Sequence, residues 1–216
     1  VTLDPTSLQS LSRRFGSREA ALAEVCHLQA VLELPKGTVH VVSDVHGEHL
    51  KLGHIVRNAS GTLRALVDAL FADRLTASEK RELLSFIYYA RESYTQRGYG
   101  ALDPEGRVRV VLRLLHLMLE VARALAASFT ARGLDRVLPT PMGELFRELI
   151  VHAPWRSEAY LRALVRPFVE GGEESDLLRR MSRIVRNLSV RELVVAGDLV
   201  HGRGAVIRAG GEGSGR

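Results

Sequence analysis

The sequence has few of the features that mark a secreted or a membrane protein. Cys26 is the only cysteine among 216 residues, so no internal disulfide framework forms and a reducing compartment is expected. The first residues, VTLDPTSLQS, contain no charged segment followed by an apolar run, and no signal peptide is recognised. The most apolar stretch, residues 108–127, carries charged side chains that a lipid-exposed span excludes. We therefore predict a cytoplasmic globular protein without membrane contact.

Lysine is also scarce, although the chain is basic. Only Lys36, Lys51 and Lys80 among the 30 basic residues are lysine, and the formal net charge is +5. The densest arginine group comprises Arg179, Arg180, Arg183, Arg186 and Arg191. Because the arginines are scattered over predicted helices, we interpret them as solvent-exposed helix faces and predict no nucleic-acid partner.

Hydrophobic periodicity predicts a mainly helical chain with two short strands that lie far apart in the sequence. Residues 39–43 and 193–196 are apolar runs rich in β-branched side chains, and each is predicted to be a buried strand. Between them only helical patterns occur, including a capping box at Thr76 and Glu79. A helix over residues 108–129 is apolar on most of its circumference, which is typical of the centre of a bundle.

Candidate metal ligands follow each of the two predicted strands. Asp44 and His46 lie in the segment SDVHGE, and Asp198 lies in the segment GDLVHGRG. Since sites in open α/β sheets form beyond the carboxyl ends of strands, we expect these two loops to converge. A carboxylate and an imidazole suit a transition metal, and a carboxylate such as that of Asp198 can bridge two ions. Each segment taken alone is equally consistent with an ordinary turn or cap.

The two segments resemble the motifs of metallophosphoesterases related to serine/threonine protein phosphatases. A long helical insertion separates the two segments, and this arrangement resembles the class 3 fructose-1,6-bisphosphatase family of bacteria. The local similarity includes HLQAVLELPKGTVHVVSDVHGEH, then HIVRNASG, then EKRELLSFIYY. This similarity runs over almost all of residues 20–198. The resemblance implies an α/β fold: an incomplete metallophosphoesterase core of two recognisable strands with a large helical insertion, predominantly helical overall.

The resemblance also implies a chemistry and a set of site residues. Asp44 and His46 would bind one manganese ion and Asp198 would bridge it to a second, at a two-metal site that is incomplete in this sequence. The implied substrate is a sugar bisphosphate, fructose 1,6-bisphosphate, which would lose its 1-phosphate in gluconeogenesis. Arg203 is the candidate phosphate-stabilising residue, although the family pattern Asp-Arg-Gly places the arginine one position earlier.

After about Val200 the sequence departs from the family pattern. The Gly-Asn-His motif, which supplies a metal ligand and a general acid in the family, has no counterpart, and neither do the later histidine ligands. We therefore expect the N-terminal part of a family member, with impaired activity, exposed apolar faces and self-association. The alternatives are a catalytically inactive fragment or interaction module, and another metallophosphoesterase acting on phosphoproteins or dinucleotide polyphosphates.

The expected organisation divides the chain into four segments. Residues 1–61 contain an N-terminal helix and the first core strand, and residues 62–188 form the helical insertion. The second strand and its metal loop occupy residues 189–204. The glycine-rich residues 205–216 are predicted to be a disordered tail.

Overall fold

The computed structural model describes residues 4–58 and 61–197, which form eleven α-helices and two β-strands. The helices are α1 (Pro5–Arg14), α2 (Arg18–Leu32), α3 (His49–Asn58), α4 (Gly61–Leu70), α5 (Ala77–Tyr88), α6 (Ala90–Gln96), α7 (Pro104–Ala126), α8 (Ala131–Asp135), α9 (Gly143–His152), α10 (Glu158–Glu170) and α11 (Glu174–Ser189). The strands are β1 (Val39–Val42) and β2 (Glu192–Val195), and short 3₁₀ helices lie at Tyr99–Ala101 and Ala153–Trp155. The predicted fold class, predominantly helical with two recognisable strands, is confirmed.

Side-chain caps fix where two of the central helices begin. At α5, the Thr76 hydroxyl accepts a hydrogen bond from the Glu79 N–H, and the Glu79 carboxylate accepts one from the Thr76 N–H. The predicted capping box is therefore present. Helix α7 begins earlier than its apolar periodicity indicates, because Asp103 caps the first turn and Pro104 occupies the first helical position.

The hydrophobic core lies among helices α4 to α11, with α7 at its centre. Helix α7 packs against α11, α10, α9 and α5, as expected for a helix that is apolar on most of its circumference. Met118 and Leu119 of α7 and Leu177 and Ile184 of α11 are fully buried. Each such side chain contributes about 1.5–3 kcal/mol by leaving water. In the described residues, no helix is long and apolar enough to cross a membrane.

Two carboxylates buried beside this core accept hydrogen bonds from neighbouring side chains. Glu174 is 3% exposed, and it accepts hydrogen bonds from the Tyr94 hydroxyl at 2.9 Å and from Arg107 Nη1 at 2.8 Å. Glu82 accepts a hydrogen bond of 2.6 Å from the Tyr99 hydroxyl. Burial, together with the bond to Glu174, raises the pKa of Tyr94, so this phenol stays a proton donor. Without such partners a buried carboxylate costs several kcal/mol.

The two strands form a parallel sheet in which Val39 pairs with Glu192 and Val42 with Val195. The prediction that these strands are buried was wrong. Val39 is 51% exposed and Val41 67% exposed, and no side chain of either strand is buried. The apolar side of α2 is equally open, with Leu32 80% exposed. These apolar side chains therefore remain largely exposed to solvent.

Arg191 connects the two strands to the helical region. Arg191, just before β2, donates from its backbone N–H to the Thr38 carbonyl at 2.8 Å and from its side-chain Nη1 to the Ser128 carbonyl at 2.7 Å. Its guanidinium also lies 5.1 Å from the centre of the Phe129 ring, a cation–π distance. The start of each strand is thereby fixed to the loop that follows α7.

Candidate metal centre

The parallel pairing of β1 and β2 brings the carboxyl ends of both strands to the same edge. The pairing continues one step past β2, since the Ala196 N–H donates to the Val42 carbonyl at 2.8 Å. The loops that leave this edge begin with Ser43 and Asp44 on one side and with Gly197 on the other. Convergence of these two strand ends was predicted from the sequence, and the described residues meet there.

Gly197 lies directly against the side chain of Asp44. A Cβ atom at position 197 would stand 2.0 Å from Asp44 Oδ1, 2.9 Å from its Cγ and 3.1 Å from its backbone nitrogen. Only glycine lets the two backbones approach this closely. The contact joins the first predicted ligand to the residue that immediately precedes Asp198.

A tight turn presents His46 beside Asp44. The Glu48 N–H donates to the Val45 carbonyl at 3.0 Å, and the two central residues have positive φ, 49° at His46 and 77° at Gly47. Positive φ at both central positions is the pattern of a type I′ turn, and it is uncommon for a residue with a side chain. Such backbone strain is often found at functional sites, where it aims a side chain.

The turn and the start of α3 enclose a cavity of about 340 Å³. Asp44 and His46 are exposed and contribute to its wall. The cavity is lined by Val42, Ser43, Asp44, Val45, His46, Glu48, Lys51, Leu52 and Ile55. Glu48 and Lys51, which lie 4.0 Å apart as an ion pair, were not selected from the sequence. Their position on the first turn after the Asp-x-His segment was the available signal.

A helix anchored to the bundle carries one wall of this cavity. The Tyr89 hydroxyl, between α5 and α6, is 2.9 Å from His54 Nδ1 of α3. Asn58 Nδ2, also of α3, donates to the same hydroxyl at 2.8 Å. These bonds fix the end of α3 and therefore the orientation of the turn that precedes it.

The donor chemistry fits a divalent transition metal in part. Asp44 offers carboxylate oxygens and His46 an imidazole nitrogen, a pair that manganese and related ions accept. Within residues 4–58 and 61–197, no group of three or more His, Cys, Asp or Glu side chains is arranged to hold a metal ion. The other predicted site residues, Asp198 and Arg203, lie outside the described residues. Two of the predicted ligands, Asp44 and His46, thus line the same cavity. The third, Asp198, follows in the sequence directly after Gly197, which contacts Asp44.

A profile of the Firmicute fructose-1,6-bisphosphatase family matches residues 6–208. The chain belongs to this family. The match includes both strands, the helices between them and the two loops that carry the predicted ligands. The family identified from the sequence motifs is therefore confirmed, and no solved structure matches the chain.

Relatives in several bacteria show the same correspondence. The chain is 32% identical over 202 residues to the fructose-1,6-bisphosphatase class 3 of Parabacteroides distasonis, covering 92% of this chain and 30% of that protein. It is 28% identical over 202 residues to that of Clostridium acetobutylicum, covering 88% and 28%. The protein of Staphylococcus epidermidis is 30% identical over 195 residues, covering 89% and 30%. The chain thus spans less than a third of the length of these relatives.

Proposed function

We propose that this chain supplies the first metal-binding strand ends of a fructose-1,6-bisphosphate 1-phosphatase. In this proposal Asp44, His46 and Asp198 bind manganese, and Arg203 contacts the phosphate. The contact between Gly197 and Asp44 is the observation that supports it most directly. In the sequence Asp198 directly follows Gly197, which is the described residue that contacts Asp44.

The residues around the cavity have distinct roles in this proposal. The Asp44 and Asp198 carboxylates and the His46 imidazole hold the metal, and the strained turn keeps the imidazole aimed at it. Lys51, paired with Glu48 at 4.0 Å, is the basic side chain of the cavity wall, and in this proposal it turns from Glu48 to an anionic sugar phosphate. When bound, divalent metal supplies Lewis-acid stabilisation of phosphoryl oxygens and lowers the pKa of water.

The helical region has a supporting role. Residues 62–188 are, in this proposal, an insertion that brings two distant strand ends to one edge, with the bonds of Arg191 and Tyr89 as its attachment points. A fragment of residues 62–188 should then keep a helical circular dichroism spectrum and unfold cooperatively on heating. A disordered fragment would contradict the proposal that residues 62–188 form a separate helical insertion.

Manganese binding tests the site without requiring turnover. Free Mn²⁺ gives a strong electron paramagnetic resonance signal that weakens on binding, and titration of the chain should show saturable loss of this signal. Asp44→Asn and His46→Gln should each reduce the affinity at least tenfold, because a neutral amide replaces the charged carboxylate in one variant and the imidazole nitrogen in the other. His49→Gln is the matched control, since this exposed histidine lies three positions after His46, on α3. Absence of saturable binding by the parent chain would refute the proposal.

Phosphate release separates the enzymatic function from a binding module. Fructose 1,6-bisphosphate is supplied with manganese and again after chelation, and released phosphate is measured. Manganese-dependent release that Asp44→Asn abolishes supports the phosphatase, with fructose 6-phosphate as the product. The alternative of a catalytically inactive module is supported instead if manganese binds saturably but no phosphate is released.

A further inference from the structure

A second concave site lies on the helical region, where α5 gives way to α6 and both face α11. Its cavity, of about 160 Å³, is lined by Tyr88, Tyr89, Ala90, Arg91, Glu92, Arg179, Ser182, Arg183 and Arg186. Four arginines and a single acid therefore face one small space. The carbonyl, hydroxyl and carboxylate groups around it determine which of these arginines are held in place.

Three of the four guanidinium groups are positioned by neighbours. The Asp176 carboxylate accepts from Arg91 Nη2 at 2.8 Å and from Arg179 Nε at 2.8 Å. Arg186 Nη1 donates to the Ile87 carbonyl at the end of α5. The Asp176 carboxylate also accepts a hydrogen bond from Arg180 Nε at 3.0 Å, so one carboxylate is shared among three arginines and excess positive charge remains. The ordered side chains lose little further entropy when they bind an anion.

Arg183 is the least constrained member of the group. It is exposed and forms no ion pair within the part of the chain that the structure describes. Its spacing of four residues from Arg179 and three from Arg186 places all three on one face of α11. A guanidinium in this position has donors available for a ligand, and an incoming anion meets it first.

The size of the cavity indicates which part of a ligand it accepts. Sites that enclose a whole drug-sized molecule are about 300–1,000 Å³, so a cavity of about 160 Å³ suits one anionic group. Arg183 and Arg186 also line a neighbouring cavity of about 410 Å³, between α3, α11 and β2. That space can take the uncharged remainder of a small molecule.

We infer that this arginine pocket binds the phosphoryl group of a small phosphorylated molecule, at a site separate from the metal centre. Arginine is suited to phosphate because its planar fork donates two parallel hydrogen bonds. The pocket is concave and small, whereas a nucleic-acid surface would need a continuous basic stripe. Tyr89 belongs to the pocket and also bonds His54 of α3, so an occupant would lie beside the helix that follows the His46 turn.

Calorimetric titration of the chain with glycerol 3-phosphate tests this inference, with glycerol as the uncharged control. The measurement is made with a chelator present, so that binding through a metal at Asp44 and His46 does not contribute. We expect saturable binding of glycerol 3-phosphate and none of glycerol. Arg183→Gln should weaken the binding at least tenfold, and Arg183→Lys by less, because it keeps the charge but loses the fork.

A matched variant separates a site from general charge attraction. Arg109 is likewise exposed on a helix and forms no ion pair among the described residues, and Arg109→Gln should leave the affinity unchanged. Because Arg183 is exposed, its variants should keep the parent's circular dichroism spectrum and melting midpoint. Absence of saturable binding, or equal weakening by Arg183→Gln and Arg109→Gln, would overturn the inference.

Discussion

Replacing Gly197 with alanine tests whether the close approach of the strand ends positions Asp44 for the proposed metal binding. The added Cβ would stand 2.0 Å from Asp44 Oδ1, whereas real Cβ atoms essentially never come within 3.0 Å of another heavy atom. The Asp44 carboxylate must therefore move by about 1 Å even to relieve the overlap. The alternative is that the two loops separate by a similar distance.

The size of the effect follows from the narrow tolerance of metal coordination. Ligand distances vary by only about 0.2 Å around their ideal values, so a displacement of about 1 Å would remove Asp44 from the coordinating position proposed for it. Disturbing the groups that orient a ligand typically costs about 10–100-fold in metal affinity. Because Asp44 is exposed and can rotate, we expect the folding free energy to fall by less than the about 1–3 kcal/mol typical of overpacked cores.

The assay is the manganese titration followed by electron paramagnetic resonance, with urea unfolding measured on the same samples. Gly53→Ala is the matched control, since nothing lies within 4 Å of a Cβ built at that position in α3. We expect Gly197→Ala to lose affinity about 10–100-fold and Gly53→Ala to keep it. An unchanged affinity in Gly197→Ala would show that the contact with Asp44 does not position a ligand.

Four further results are expected. Thr76→Ala removes the capping box of α5 and should lower the free energy of urea unfolding by about 1 kcal/mol. Leu119→Ala should lower it by about 2–5 kcal/mol because the side chain is fully buried, whereas Leu32→Ala, at an 80% exposed position, should change it by less than about 0.5 kcal/mol. Burial alone would raise the pKa of Asp176, but hydrogen bonds from Arg179 and Arg180 and the positive charge of both side chains lower it. A carboxyl whose pKa is lower in the folded state stabilises the fold above its unfolded pKa of about 3.9, and this contribution is lost as the pH falls through the folded value. The urea midpoint should therefore decrease less steeply below about pH 4 in Asp176→Asn than in the parent. Finally, the exposed apolar side chains of α2 and β1 should bind a hydrophobic dye and cause concentration-dependent association in sedimentation, and a dye-negative monomer would contradict this.

The strands and their convergence could be predicted because they depend on local patterns and on one general rule of sheet topology. Residues 39–43 and 193–196 were predicted, and the strands span Val39–Val42 and Glu192–Val195. Their burial could not be predicted correctly. An apolar run reports a preference for leaving water, but it does not establish that a partner is there to cover it. Val41 is accordingly apolar and two-thirds exposed.

The arginine pocket could not be predicted from the sequence, because it depends on how distant helices pack against one another. Arg179 and Arg186 were interpreted as parts of a solvent-exposed helix face because the arginines are scattered over the predicted helices. The structure pairs Arg179 with Asp176, and it places Arg186 against the carbonyl of Ile87, in a distant part of the chain. Only the packing of α11 against α5 and α6 brings these groups together, and periodicity carries no information about it. Likewise, nothing in the sequence indicated that His46 has a positive φ, although the adjacent Gly47 indicated a turn.

The pairing of β1 with β2 has a consequence for how the protein folds. The strands are separated by residues 43–191, and closing a flexible loop of that length costs about 4 kcal/mol of chain entropy on the (3/2)RT ln n rule. The helices between the strands rely on nearer contacts and can form first, which shortens the effective loop before the strands meet. The sheet that presents Asp44 should then be the last part to form and the first to open. Amide protons of β1 and β2 should therefore exchange with solvent sooner than those at the centre of α7.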